Sequence, residues 1–148
     1  MKILPVGRED FEQLAQIRVA AMRESLERVG RFDAERARTR LLVSFAPEST
    51  HFIMVDDQPA GFYAVRQGDK GMDLEHLYIL PDFQNRGIGG QVLKHILAEA
   101  DRTGASVHVG ALKESDSNRF YCRHGFVPDG EGEWDNYYVR PARPEEVA

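Results

Sequence analysis

Hydrophobic residues recur at two different spacings along the chain, and these spacings predict alternating strands and helices. The run over residues 2–6 predicts a first strand. Residues 9–29 carry their apolar side chains at helical spacing, and Gly30 ends that helix. Asp33 is a suitable N-cap for a second helix, which closes before Pro47. The first third of the chain is therefore predicted to be one strand followed by two helices.

Alternating side chains over the next segment predict three antiparallel strands. Residues 51–55 and 61–66 form a predicted hairpin with a turn over residues 56–60. Residues 72–80 predict a third strand, which Pro81 stops. Side chains of a strand alternate between faces. One face of the third strand carries Asp73, Glu75, Leu77 and Ile79, and the other carries Leu74, His76 and Tyr78.

The clearest amphipathic helix begins at Ile88 and ends near Thr103, with apolar residues at helical spacing. Its apolar residues are Ile88, Val92, Leu93, Ile96, Leu97 and Ala100. A strand over 106–112, a short helix around 117–124 and two last strands, 126–127 and 136–140, follow. A strand, a crossover helix and a strand make a parallel pair. The prediction is a single α+β domain over residues 1–148, with a mostly antiparallel sheet, flanking helices and one parallel crossover.

Composition narrows the class of protein. The 148 residues are 42% hydrophobic and 29% charged, as in one globular domain. A net charge of -5 argues against a nucleic-acid partner, because that binding depends on clustered Lys and Arg. No apolar run has the length of a signal peptide core or a membrane span. The single cysteine, Cys122, and the absence of a Cys/His cluster at ligand spacing predict no metal site and a cytoplasmic location.

A glycine-rich loop opens the amphipathic helix, with the sequence Gln84, Asn85, Arg86, Gly87, Ile88, Gly89 and Gly90. Glycines let backbone amides approach an anion, and a helix start adds unpaired N–H groups and the positive end of the helix dipole. The dinucleotide spacing GxGxxG and the nucleotide motif GxxxxGK with Ser or Thr are absent. The loop therefore favours a phosphate or pyrophosphate site of another kind, and a tightly packed corner is the alternative.

Two segments resemble the GNAT superfamily of N-acetyltransferases. Residues 77–89 resemble its signature, in which Arg or Gln, two residues, Gly, one residue and Gly or Ala are matched by Gln84, Gly87 and Gly89. The later run from Phe120 to Phe126, with Tyr121 and a Gly-Phe pair, resembles a second family segment in the right order. The order of elements also agrees, so the resemblance covers nearly the whole chain.

The resemblance implies acetyl-CoA as co-substrate, an amine as acceptor and direct acyl transfer between them. It implies main-chain contacts to the pantetheine arm from Leu77, Tyr78 and Ile79. It also implies pyrophosphate contacts from Gln84, Asn85, Arg86, Gly87, Ile88, Gly89 and Gly90. Where the family commonly has a pantetheine-binding asparagine, this chain has Ser115, and Asn118 is near but out of register.

Tyr121 aligns with the tyrosine that often protonates the departing thiolate in the family. A phenol keeps its proton at neutral pH and can donate it, whereas the alternative is a buried structural tyrosine. Asp73 and Glu75 are candidates for taking the amine proton, and ordered water is the alternative. His76 and His108 are interpreted as structural histidines.

The acceptor stays open among polyamines, amino acids, aminoglycosides, protein N-termini and lysine side chains. In the family, the turn between the first two helices and the last strands build the acceptor site. Here these segments contain Arg28, Arg31, Phe32, Trp134, Asp135 and Tyr137. A non-catalytic acyl-CoA-binding module and a nucleotide-binding domain of another fold are the alternatives from other classes. Homodimers are common in the family, and the sequence leaves that question open.

Overall fold

The computed structural model describes residues 1–143, which contain seven strands and four α-helices. In chain order these are β1 (Lys2–Pro5), α1 (Phe11–Arg28), α2 (Ala34–Ser44), β2 (Thr50–Val55), β3 (Gln58–Gln67), β4 (Met72–Ile79), α3 (Ile88–Thr103), β5 (Val107–Leu112), α4 (Ser117–Arg123), β6 (Val127–Glu131) and β7 (Asp135–Arg140). Short 3-10 helices precede α1, β2 and the loop before α3.

The strands form one sheet in the order β1-β2-β3-β4-β5-β7-β6. The pairs β1–β2, β2–β3, β5–β7 and β6–β7 are antiparallel. The pair β4–β5 is parallel, with a register from Met72 opposite Val107 to Leu74 opposite Val109. Helix α3 is the crossover between these two strands. The predicted fold class is confirmed.

Backbone contacts divide the chain into two compact units. The first contains Met1–Val65 and His76–Gly90, and the second contains Arg66–Glu75 and the chain from Gln91 onward. Both β4 and α3 contribute residues to each unit. The single domain expected from the length of the chain stays a prediction.

The first unit has an apolar core beneath α1 and α2. Its buried members come from both helices, from β2 and β3 and from the residue after β1, and those in α1 explain its helical spacing. These residues are Val6, Phe11, Leu14, Ala15, Ile17, Leu41, Phe52 and Phe62. Asp33 caps α2 as predicted, since its carboxylate accepts a hydrogen bond of 3.1 Å from the Arg36 amide.

The hairpin turn between β2 and β3 is tighter than predicted. Val55 pairs directly with Gln58, so only Asp56 and Asp57 form the turn. Both have left-handed backbone, with φ of 52° and 62°, as a two-residue turn of type I′ requires. The predicted turn over residues 56–60 is therefore wrong at its end, because residues 58–60 already belong to β3.

In the second unit, α3 packs an unbroken apolar face. Val92, Leu93 and Ala100 are completely buried, and Ile96 and Leu97 are nearly so, which confirms the predicted amphipathic helix. Near the end of α3, Asp101 accepts two hydrogen bonds from the buried Arg140 of β7, at 2.5 and 3.0 Å. This two-point pair fixes the last turn of the helix against the sheet.

Replacing Asp101 with Asn should destabilise the protein by about 1 kcal/mol, near the low end for hydrogen bonds to charged groups because Asp101 is partly exposed. The Tm should fall by about 3 °C in thermal unfolding at pH 7. Arg140 holds the pKa of Asp101 below its ordinary value, against the opposing effect of partial burial. The stabilisation is thus present above about pH 4 and is lost as the pH falls through the lowered pKa.

Glu99→Gln is the matched control, because Glu99 lies on the same helix and pairs with Arg102 at the surface. An exposed pair of this kind contributes little, so its Tm should stay unchanged. An equal loss of Tm in both variants would contradict the assignment, as would a difference in Tm that does not shrink as the pH falls below the ordinary pKa of Asp.

Candidate active site

The glycine-rich loop lies between the end of β4 and the start of α3. After Ile79 the chain makes one 3-10 turn, Pro81–Phe83, and residues 84–87 then lead into the helix at Ile88. Asn85 and Gly87 have left-handed backbone, with φ of 64° and 76°. Asn and Gly are the residues that adopt this conformation most readily. Alternating backbone handedness of this kind turns successive amides toward one concave side.

Two side chains of the loop contact the segment that precedes it. The amide nitrogen of Gln84 donates a hydrogen bond of 2.9 Å to the Ile79 carbonyl, which ties the loop to the last residue of β4. The guanidinium of Arg86 lies over the Phe83 ring at 5.3 Å, which orients a positive charge at the surface.

The surroundings of the loop suit an anionic group. Residues 84–87 are exposed, and a β-carbon placed on Gly87 would meet no protein atom within 4 Å. The amides of the first turn of α3 have no acceptor within the helix, because no earlier turn supplies one. An exposed loop with open space, unpaired amides and Arg86 fits a pyrophosphate.

The end of β4 lies against β3 at Gly61, which has no side chain. A β-carbon on Gly61 would overlap the Tyr78 carbonyl oxygen, so only glycine fits there. The Leu80 amide donates to the Ala60 carbonyl at 2.7 Å on the same side. Neighbouring residues of a strand direct their backbone groups to opposite edges. Leu77 and Ile79 therefore direct theirs away from β3, at the part of β4 that runs beyond its register with β5.

The side chains of Tyr78 and His76 belong to a polar network within the first unit. The Tyr78 hydroxyl accepts a hydrogen bond of 3.2 Å from Arg18 and lies 3.1 Å from His76 Nδ1. His76 Nε2 lies 3.2 Å from the Ser44 hydroxyl. Arg18 is only 7% exposed and also donates to the Ala37 carbonyl. The network connects α1, α2 and β4, and it gives His76 two hydrogen-bond partners, as a structural histidine has.

Tyr121 lies in α4 and is buried, with 5% of its surface exposed. Its ring meets those of Phe120 and Phe126 edge to face, each at 5.3 Å between centroids. The same motif that aligns Tyr121 with the family thus also supplies the rings that hold it. Its proposed acid role remains a prediction.

The Asn118 amide is engaged within the protein. Its nitrogen donates to the carbonyls of Leu112 and Ser115 at 3.0 and 2.9 Å. Its oxygen accepts from Asn136 and from the Tyr138 hydroxyl at 3.0 and 2.7 Å. This pattern favours Ser115 over Asn118 for a contact to pantetheine, and both contacts stay predictions.

The two candidate carboxylates on β4 have different surroundings. Glu75 pairs with Arg66 of β3 at 3.0 Å and is 23% exposed. The Asp73 carboxylate lies against Gly68, in the turn between β3 and β4. Of the two, Glu75 lies nearer along the strand to the glycine-rich loop. Neither assignment as a base is tested by the structure.

His108 lies beside a serine and a carboxylate. Its Nε2 is 3.0 Å from the Ser106 hydroxyl, and its Nδ1 is 4.0 Å from the Asp129 carboxylate. Ser106 donates to the Lys70 carbonyl at 2.8 Å. The hydroxyl proton is therefore directed at the main chain and not at the imidazole, which is the arrangement of a structural contact.

Within residues 1–143, no three His, Cys, Asp or Glu side chains group as metal ligands. No helix among these residues is long and apolar enough to span a bilayer.

Comparison with known families agrees with this geometry. The family model described as "Acetyltransferase (GNAT) domain" matches residues 47–128, which include β4, the glycine-rich loop, α3 and α4. The chain belongs to the GNAT family of acetyltransferases. Membership makes this protein an N-acyltransferase by class, with acetyl-CoA as the acyl donor.

Individual acetyltransferases resemble this chain over most of its length. It is 32% identical to the peptidyl-lysine N-acetyltransferase YjaB of Salmonella typhimurium, over 80% of this chain and 80% of that protein. The fold resembles PaiA N-acetyltransferase from Thermoplasma acidophilum, solved with coenzyme A, with a TM-score of 0.69, 17% identity and coverage of 95% and 98% of the two chains. It also resembles an acetyltransferase from Thermus thermophilus, with a TM-score of 0.75, 21% identity and coverage of 95% and 96%.

Sequence reasoning missed the two polar networks around Arg18 and Asn118. The sequence does contain a pattern that indicates the burial of Arg18, because this residue lies four residues after Leu14 and next to Ile17, on the apolar face of α1. An arginine at such a position is buried only with hydrogen-bond partners. Two partners of Asn118, namely Asn136 and Tyr138, lie 18 and 20 residues away on β7, and no local pattern marks them.

Proposed function

We propose that this GNAT protein transfers an acetyl group from acetyl-CoA to the side-chain amine of lysine residues in proteins. The observation that carries the cofactor part is the exposed loop with left-handed Asn85 and Gly87 directly before α3. The acceptor part is supported by the similarity to a peptidyl-lysine N-acetyltransferase over 80% of both chains.

For the cofactor, the amides of the glycine-rich loop and of the first turn of α3 bind the pyrophosphate. Arg86 adds a charge at the surface, while Gln84 holds the loop against Ile79. The backbones of Leu77 and Ile79 receive the pantetheine arm, because they are directed to the edge of β4 away from β3. The Ser115 hydroxyl is the proposed side-chain contact.

In the reaction, acetyl-CoA supplies the thioester carbonyl that the amine attacks and the thiolate that leaves. Tyr121 holds the proton that the leaving sulfur takes, since a phenol remains protonated at neutral pH. Glu75 is the proposed acceptor of the amine proton, by direct contact or through a water molecule. The chemistry needs no cysteine nucleophile, so Cys122 has no role in it.

For the acceptor, the β6–β7 hairpin provides a negatively charged surface with aromatic side chains. Glu131 and Asp129 lie near Lys113 and His108, whereas Glu133 and Asp135 lie at the turn with the exposed Trp134. Carboxylates attract the lysine ammonium, and aromatic faces hold it by cation–π contact. The same composition repels acidic acceptors.

Gly87→Ala should weaken binding of acetyl-CoA by about 10-fold or more, the equivalent of one lost hydrogen bond to a charged group. The added methyl meets no protein atom, so only the left-handed backbone opposes it, at a cost of about 1 kcal/mol. Isothermal titration with CoA measures the loss of affinity. Gly104→Ala is the control, because Gly104 has the same backbone conformation and equally open surroundings after the other end of α3.

The two glycine variants should lose similar amounts of stability, while only Gly87→Ala loses affinity for CoA. If a folded Gly87→Ala protein bound CoA as tightly as the parent protein, the assignment of the loop to the pyrophosphate site would be wrong.

Tyr121→Phe should lower kcat by about 10²- to 10⁴-fold while leaving affinity for CoA nearly intact, because only the proton donor is removed. Steady-state and single-turnover rates with a good acceptor separate the chemical step from product release. Tyr63→Phe is the control, since Tyr63 is a similarly buried tyrosine on β3. Unchanged single-turnover rates in Tyr121→Phe would return Tyr121 to a structural role.

An acceptor panel tests the lysine assignment. The protein should acetylate an Nα-blocked peptide with an internal lysine faster than free amino acids, polyamines, aminoglycosides or peptide N-termini, with the site located by mass spectrometry.

Glu133→Gln should raise the KM for the lysine peptide by about 2- to 5-fold at low salt, as expected for one exposed charge. If a small amine were acetylated faster than the lysine peptide, the assignment of protein lysine as the acceptor would be wrong, while the acetyltransferase assignment would stand.

A further inference from the structure

We propose that Asn118 is the positioning residue for Tyr121, holding α4 in the place where the tyrosine can donate its proton. The inference rests on the proposed function, which assigns proton donation to Tyr121. It gives Asn118 a role through another residue and not a contact with the cofactor.

The amide of Asn118 has all its hydrogen-bonding positions occupied. A carboxamide has two N–H donors and an oxygen with two lone pairs. The donors are directed at the carbonyls of Leu112 and Ser115, and the oxygen accepts from Asn136 and Tyr138. A further contact to a bound molecule would require one of these four bonds to break.

Three of the four bonds join α4 to two strands, and the fourth goes to Ser115 in the turn before the helix. Leu112 is the last residue of β5, and Asn136 and Tyr138 belong to β7. Helix α4 has only 7 residues, well below the length at which an isolated helix is stable in water. Its position therefore depends on contacts with the rest of the second unit, and Asn118 supplies three hydrogen bonds to β5 and β7.

Asn118 and Tyr121 are three residues apart on α4, so their side chains lie on neighbouring positions of one helix face. The Tyr121 ring is confined by Phe120 and Phe126. Packing thus restricts how the ring turns, while Asn118 restricts where the helix sits. A displacement of about 1 Å at a reacting group is enough to reduce turnover substantially.

The Tyr138 hydroxyl keeps the proton with which it donates a hydrogen bond to Asn118. Burial is the main cause that raises the pKa of Tyr138, and the nearby Cys122 raises it further against the opposing hydrogen bond from Asn136. The hydroxyl therefore stays protonated throughout the neutral range and donates to the Asn118 oxygen at 2.7 Å.

A double-mutant cycle tests the proposal in the full-length protein. Asn118→Ala should lower single-turnover acetylation by about 10- to 100-fold and leave CoA affinity within about 3-fold of the parent. In a Tyr121→Phe background the same substitution should have little further effect, because its influence passes through the tyrosine hydroxyl. Arg119→Ala is the matched control, since Arg119 is the neighbouring, exposed residue of α4 and pairs only with Asp116 among the contacts described.

Tyr138→Phe is the second variant, because it removes one hydroxyl and preserves the ring packing should Asn118→Ala fail to fold. It should lower turnover several-fold in the parent and leave the Tyr121→Phe protein unaffected. Additive losses in both backgrounds would overturn the positioning role while keeping Tyr121 as the acid. A fall in CoA affinity with unchanged turnover would make Asn118 a cofactor ligand. No effect of Tyr121→Phe itself would remove the acid assignment and the positioning role together.

Discussion

The close approach of β3 to β4 at Gly61 is the constraint on which the arrangement around the glycine-rich loop depends. Because the Tyr78 carbonyl occupies the space of a side chain at Gly61, the edges to which β4 directs its backbone are fixed. Leu77 and Ile79 then present their groups on the other edge, and Gln84 fastens the loop to Ile79. The side chain of Tyr78 is fixed in the same strand by Arg18 and His76. Strand geometry thus sets the edge of β4 to which Leu77 and Ile79 direct their backbone groups, and the network from α1 and α2 holds the Tyr78 side chain.

The polar network around Arg18 also explains how a charged residue can lie beneath α1. Burying a guanidinium is unfavourable unless its N–H groups find acceptors. Here it bonds to a carbonyl of α2 and a hydroxyl of β4, and its central carbon lies 5.8 Å from the Tyr78 ring centroid. These directional bonds give the apolar core a defined register between two helices and a strand, which packing of Leu and Phe side chains alone would specify less sharply.

Much of the fold could be predicted because local patterns dictate it. The buried face of α3, the cap at Asp33 and the stop at Pro81 each follow from residues close in sequence. The predicted ends of strands were wrong where residues with left-handed backbone determine them. Asp56 and Asp57 turn the chain by themselves. The strand β6 extends to Glu131 because a bulge at Gly130, with φ of 105°, takes up a residue that breaks the alternating pattern. The loop could be found from its glycines, but the partners of Asn118 depend on strand pairing that only the folded chain reveals.

The two outer strands of the sheet carry features that oppose pairing with a strand of another copy of the protein. At one end, β1 has only 4 residues and finishes at Pro5, which has no N–H to offer an added strand. At the other, β6 is exposed along its length, but it contains Pro128 and a bulge and carries Asp129 and Glu131. Proline, bulges and charge at outer strands discourage the edge-to-edge pairing that leads to aggregates. Addition of a further strand is therefore disfavoured at both outer strands, and side-chain surfaces are the more favourable route to self-association.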